Sequence, residues 1–366
     1  MIYRYGIKVR GVSHEKSNSP CQDAKAIKPM IRCGDCVTIA AVADGLGSCA
    51  FSHIGSTNVV NVATRYCEQH ITREDEPEKI LKTIEMSFSE AHSEVEKIAE
   101  SQGQELNLYH TTLSLAVLIS DTLYYGHAGD SGIIALTTEG RFEKVTEQQR
   151  DTKNRVFPLL FNEDKWIFGQ FGKKVCSVLL ATDGILELLI PCWLRNEFLG
   201  IDESITVRSD IASRLMDNRE LCIDEKGEIS VRRRIRNYIA KIHPGLVGYD
   251  DVTIAVLVNT SVKPVSPPET FYPDWREIER KLQEAFEREL YPHRFATPAN
   301  VTPSADSDKS IENENFLPVG TTNDALVDSG LPIKHAKKLE QTKRHIKSTK
   351  PKQSKNLPPK RLRNKL

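Results

Sequence analysis

The sequence predicts an α+β domain built on antiparallel sheets, and three observations carry that expectation. Five short runs rich in apolar and β-branched residues, 37–43 (VTIAAVA), 113–119 (LSLAVLI), 122–128 (TLYYGHA), 176–182 (CSVLLAT) and 252–258 (VTIAVLV), have the length and composition of buried strands. Residues 55–69 and 78–101 instead space their apolar side chains helically, as at Ile80, Ile84, Phe88 and Val95. Strands outnumber helices and come in adjacent pairs, which favours antiparallel sheets over a βαβ repeat. Further helices are expected at 205–221 and 229–242, the second with a basic face of Arg232, Arg233, Arg234 and Arg236.

Composition breaks after Val258, which puts a first domain at 1–260. Residues 261–273 hold four prolines and read as an extended linker. Residues 274–292 follow as an amphipathic helix, with Asp274 as its cap and Trp275, Ile278, Leu282, Phe286 and Leu290 in one stripe. Residues 293–330 are polar and rich in Pro, Asn, Asp and Ser, the composition of a disordered linker, and 331–366 form a basic tail. The formal charge of zero conceals this polarity. Residues 334–366 carry 13 Lys and Arg against Glu340 alone, so an acidic body of 37 basic and 49 acidic residues precedes them.

Several function classes fall away. Eight cysteines in 366 residues do not make a disulfide scaffold. Charge throughout Met1–Lys16 leaves no apolar signal-peptide core, and no apolar run is long enough to span a membrane, so a cytoplasmic protein is expected. P-loop, G-x-G-x-x-G and G-x-S-x-G motifs are all absent from the sequence. The Cys33-Gly-Asp-Cys36 segment lacks a second ligand pair for zinc and reads as a hairpin turn. The tail has no aromatic residue after 330, so it fits an acidic partner or a solvated end better than nucleic acid.

The chemistry-bearing feature is an acidic residue that recurs just beyond an apolar run, usually beside Gly: Asp44 in AVADGLGS, Asp130 in GHAGDSG, Asp183 in LLATDGIL and Asp250-Asp251 in GYDDVTIAVLV, with Asp23 in SPCQDA as a fifth. A single Asp-Gly is an ordinary turn. The ordered series is more specific. Gln22-Asp23, Asp44-Gly45-Leu46-Gly47, Thr111-Thr112, Gly129-Asp130-Ser131, Thr182-Asp183-Gly184 and Asp250-Asp251-Val252-Thr253 together resemble the metal-dependent type 2C serine/threonine protein phosphatases, in the manner of a bacterial member.

That resemblance implies a sandwich of two antiparallel sheets flanked by helices, with a metal centre at one end. It implies that Asp44 bridges two ions with the Gly45 carbonyl completing one shell, and that Asp183 and Asp250 ligate the other ion. Asp23 would stand in or just behind the inner shell, and Asp130 would help hold a third, weaker ion. The catalytic set would then be Asp23, Asp44, Asp183 and Asp250, hydrolysing phosphoserine or phosphothreonine in a protein substrate such as a Ser/Thr kinase or its target. Electrostatics agrees on its own terms: five carboxylates ~7 Å apart repel by about 2.4 kcal/mol per pair at an effective dielectric of ~20, more in total than a domain's net stability. An all-oxygen donor set favours Mg²⁺ or Mn²⁺, two per site, over zinc.

Three positions depart from the family pattern. Asn18 stands where many members carry the Arg that clamps the substrate phosphate, and Leu46 replaces the His of Asp-Gly-His-Gly; Gly132 also replaces a frequent Arg. His14, with Lys16 and Arg10 nearby, is the candidate replacement beside Asn18 for holding phosphate. The rival expectation is a catalytically weak or inactive pseudophosphatase that binds phosphoproteins as a scaffold. Retention of Asp44, Asp183 and Asp250 weighs against it.

Overall fold

In a computed structural model of the chain, residues 1–30, 37–161, 163–191, 207–221, 233–235, 237–239, 241, 250–268 and 271–294 are described. Residues Met1–Lys281 form one compact unit. The Cys33–Cys36 turn, most of the 229–242 helix, and the chain from 295 onward lie outside the described residues.

Ten strands among the described residues make two five-stranded antiparallel sheets. The first has the order β1 (Ile2–Val9), β10 (Val252–Asn259), β9 (Val175–Ala181), β6 (Gly132–Thr137), β7 (Phe142–Lys144). The second runs β2 (Ala24–Pro29), β3 (Val37–Ala43), β4 (Leu113–Ile119), β5 (Thr122–Ala128), β8 (Ile167–Gln170). Side chains alternate across a strand, so a strand covered on both faces must be apolar throughout. β3 meets that demand: Ala40 and Val42 pack between the sheets with Leu118, Ile133, Leu180 and Leu257, while Ile39, Ala41 and Ala43 face outward into a second cluster.

Two helices close that outer face, α2 (Ser52–His70) and α3 (Pro77–Ser101), through Val59, Ala63, Ile84 and Phe88. On the other sheet, α4 (Asp183–Leu189) and α5 (Ser209–Met216) bring Ile185, Leu189, Ile211 and Leu215 onto Leu179, Ile254 and Val256. The expected sandwich with flanking helices is therefore what the chain forms. Each such buried aliphatic contributes about 1.5–3 kcal/mol relative to exposure.

Two differences from expectation have a physical reason. The strand expected at 176–182 is β9, Val175–Ala181, because Thr182 leaves the sheet to stand as the N-cap of α4. The helix expected at 205–221 breaks within the described residues into α5 and α6 (Asn218–Leu221) at Asp217, whose extended backbone ends one helix. Its carboxylate then accepts the Arg219 N–H at 2.9 Å. Short α1 (Val12–Ser17) precedes the second sheet. After the last strand, α7 (Trp275–Leu290) begins with the Asp274 carboxylate accepting the Arg276 N–H at 3.0 Å, and the Trp275 indole donates to Ser209 Oγ at 2.8 Å.

Candidate metal centre

Sheet registry gathers the acidic residues before any side chain is considered. Ala24 lies opposite Ala43, Leu113 opposite Ala128, and Ala181 opposite both Ile254 and Gly132. The residues just beyond these pairs, Asp23, Asp44, Thr112, Asp130, Asp183 and Asp250-Asp251, consequently share one end of the sandwich.

Hydroxyls in the flanking motifs fix the backbone there. Thr111 Oγ1 and the Thr112 N–H both donate to the Asp44 carbonyl at 2.8 Å, and the Asp44 N–H donates to Thr112 Oγ1 at 2.9 Å. Thr112 Oγ1 also lies 2.7 Å from Ser131 Oγ, tying the Asp44 and Asp130 turns together. Gly129 has φ +107, and a Cβ there would stand 2.5 Å from Thr112 Cγ2, so this turn requires glycine. Gly184 is required by proximity, since its Cβ would fall 2.1 Å from the Asp251 carbonyl oxygen. Gly45, expected to offer its carbonyl, bridges to Thr111 in the same layer.

Asp44, Asp130 and Asp183 each place a carboxylate oxygen within 4.8 Å of the others. Their electrostatics is that of an anionic cluster short of positive charge. Burial pushes the Asp44 carboxyl well above its usual range, and Asp183, Asp23, Asp130 and Asp250 push it further. Asp130 rises to about 7 through burial and Asp183, against the pull of Arg150. Asp23 rises to about 8, chiefly by burial, although Thr182 Oγ1 donates to its Oδ2 at 2.7 Å. Asp250, more open, is raised by burial and by Asp183. An oxygen-only cluster of this kind suits a hard divalent cation.

The other expected site residues sit elsewhere. His14 Nδ1 lies 2.9 Å from Asp251 Oδ1 rather than among the three carboxylates, and Arg10 donates to the His14 carbonyl at 2.7 Å. Asn18 is exposed, ending α1 in the left-handed region with φ 53. Lys16 is exposed on the same short helix. Leu46 is half-buried, with its N–H on the His110 carbonyl.

Two residues prove central that the sequence reading gave no role: Asp251, quoted there only within its motif, and Arg150. Asp251, 2% exposed, accepts the Gly11 N–H at 2.7 Å and the Gln22 N–H at 2.6 Å. Those bonds and His14 hold its carboxyl below the usual range, although burial alone would raise it. Its neighbour Asp250 is shifted the opposite way, so the tandem pair divides into one anchoring and one site-facing carboxylate. Arg150, from the loop between β7 and β8, sets Nη2 2.7 Å from Asp130 and 3.3 Å from Asp183. Nothing in the polar EQQRD segment signals this, because the contact depends wholly on where its loop lands.

Comparison with known proteins follows the same line. Residues 10–208 match the family profile described as Protein phosphatase 2C; Asp250 and Asp251 lie beyond the matched segment. No curated protein sequence gives a significant match. Among solved structures, the serine/threonine phosphatase Stp1 from Staphylococcus aureus is similar at 12% identity and TM-score 0.49, over 70% of this chain and 95% of that one. The serine/threonine phosphatase PstP/Ppp of Mycobacterium tuberculosis aligns at 16% identity and TM-score 0.46, over 70% and 98%. PppA, a key regulatory component of T6SS in Pseudomonas aeruginosa, aligns at 16% identity and TM-score 0.47, over 70% and 97%.

Proposed function

The chain belongs to the protein phosphatase 2C family, and from that premise we propose that it hydrolyses phosphoserine and phosphothreonine in proteins at a binuclear Mg²⁺ or Mn²⁺ centre. The observation that carries this reading is the meeting of Asp44, Asp130 and Asp183 oxygens within 4.8 Å, in surroundings that raise the protonation range of Asp44 and Asp130. Carboxylates so arranged stay charged at neutral pH only when positive charge offsets them.

Asp44, Asp183 and Asp250, with the Gly45 carbonyl, are the groups we assign to holding the ions, and we assign Asp23 to the inner shell or just behind it, its carboxylate oriented by the Thr182 hydroxyl. When bound, such ions lower the pKa of a water and neutralise phosphoryl oxygens. The chain's own contribution is placement. The threonine hydroxyls lock the Asp44 turn, and Asp251 ties the Gly11–Gln22 segment to the start of β10.

We assign the machinery to residues 1–260, and to the basic tail either contact with an acidic partner or a solvated end. The substrate we propose is a phosphorylated Ser/Thr kinase or that kinase's target, in the cytoplasm. Cys21, Cys49, Cys67 and Cys176 are unpaired, which supports a reducing compartment, and no helix among the described residues is long and apolar enough to cross a membrane.

Hydrolysis of a phosphothreonine peptide with Mn²⁺, with Mg²⁺ and with chelator, for wild type and Asp183→Asn, tests the reading. Expected is metal-dependent turnover that drops at least about a hundredfold in the variant, or ~2.7 kcal/mol of transition-state stabilisation. Phosphopeptide binding with no turnover under either metal would instead establish the pseudophosphatase, which Asn18 and Leu46 favour.

A further inference from the structure

Arg150 presents an unusual arrangement for a site read as a metal centre. Its Nη2 lies 2.7 Å from Asp130 Oδ2, 3.3 Å from Asp183 Oδ2 and 3.4 Å from Glu187 Oε1. Two of those three carboxylates belong to the cluster that could ligate a cation. The Asp130 side chain is 3% exposed, so its charge would be stranded if Arg150 were removed and nothing positive took its place.

The loop holding Arg150 is anchored on the turn that carries Asp130. Gln149 exchanges bonds with Gly129, its Oε1 accepting the Gly129 N–H at 2.8 Å and its own N–H donating to the Gly129 carbonyl at 2.8 Å. Gln148 Nε2 donates to the Asp130 carbonyl at 2.8 Å. On the far side, Arg150 bridges to Val156, and Asp151 caps the intervening turn by accepting the Lys153 and Arg155 N–H groups at 2.8 Å. A guanidinium reaching in from a loose loop would not need such fastening.

We propose that Arg150 is a resident cation of the site: its guanidinium occupies the cation position between Asp130 and Asp183, so that position takes no metal. The inference rests on reading the acidic cluster as a metal centre. Mg²⁺ or Mn²⁺ approaches a carboxylate oxygen to about 2.1 Å, and the Arg150 nitrogen already stands 2.7 Å from Asp130 Oδ2. The two cannot share the position. A fixed single charge thus replaces an exchangeable double one, beside the place where substrate phosphate would arrive. Arg150 Nε is buried without an acceptor among the described residues.

The test is a count of Mn²⁺ ions bound by the full-length chain after chelator treatment, read by the paramagnetic resonance signal of free Mn²⁺. Wild type is compared with Arg150→Gln and with Arg150→Met, which keeps the packing of the stem. Both variants are expected to bind one ion more than wild type, or to bind one ion at least about tenfold more tightly. Equal counts and equal affinities would overturn the proposal. A variant that unfolds in chelator but refolds with Mn²⁺ supports it, since metal then substitutes for the missing charge; one that stays unfolded with Mn²⁺ refutes it. The difference between variants carries this inference, whereas the wild-type count and turnover carry the binuclear phosphatase reading, so the two fail separately.

Discussion

Replacing Asp251 by Ala removes one side chain that joins three parts of the chain. Its two oxygens accept the Gly11 N–H at 2.7 Å and the Gln22 N–H at 2.6 Å, and Oδ1 faces His14 Nδ1 at 2.9 Å. Hydrogen bonds to a charged acceptor contribute about 1.5–3 kcal/mol each, and truncation leaves two donors to be resolvated. A loss of about 3–5 kcal/mol follows, in the range seen when one partner of a buried pair is removed. Urea unfolding followed by circular dichroism reads this directly. With a slope of about 2–3 kcal/mol/M, the midpoint falls by about 1–2.5 M. His14→Ala, which removes only the partly exposed partner, lowers it far less. A fall under ~0.3 M for Asp251→Ala would show that water replaces the carboxylate at little cost, and the anchoring argument would fail. Because the Asp251 carboxyl is held below its ordinary value, its contribution is present above the unfolded pKa of about 3.9 and is lost as pH falls through the folded one.

The cluster carboxylates have the opposite sign. Asp23 and Asp130 are raised to about 8 and about 7, so in chelator-treated protein their contribution is full below the unfolded pKa and disappears as pH rises through those values. The melting temperature of metal-free protein should therefore fall between about pH 5.5 and pH 8.5, and Mn²⁺ should flatten that slope; a metal-free melting temperature that rises over the interval would contradict it. Gly184→Ala forces a Cβ to within 2.1 Å of the Asp251 carbonyl oxygen, and the first turn of α4, which carries Asp183, must shift. Calorimetry should then find Mn²⁺ bound at least about tenfold more weakly, and unchanged affinity would mean that the turn yields without moving Asp183.

Legibility in the sequence followed burial only in part, for the fully buried β6 (GIIALT) also went unread. Strands β3, β4 and β5 were readable to the residue because their faces are largely covered, which leaves runs without Asp, Glu, Lys or Arg. β1 and β2 escaped notice because they are edge strands. Arg4 and Lys8 in IYRYGIKV, and Lys25 and Lys28 in AKAIKP, give those segments the look of a charged loop, although Tyr5 and Ile7 are buried. Charge on an edge strand is how a sheet avoids pairing with another molecule. Within the site, the Asp-Gly turns were visible because each is local: an acidic residue, a glycine and a hydroxyl within a few positions. Arg150 and the anchoring of Asp251 were not, because both depend on contacts between segments 20 to 240 residues apart. A tandem Asp-Asp does not say which carboxylate faces inward.

The position of β10 has a consequence for how the protein is made. This strand, Val252–Asn259, lies between β1 and β9, with Ile2 opposite Asn259 and Ile254 opposite Ala181. A ribosome delivers β1 first and β10 some 250 residues later, so the first sheet stays split for most of synthesis. The second sheet needs nothing beyond β8, at Gln170, and can close early. Contacts so far apart in sequence fold slowly. Asp183 and Asp250 are brought together only when β10 docks, so the nascent chain emerges with its second layer built and its acidic centre still in two pieces.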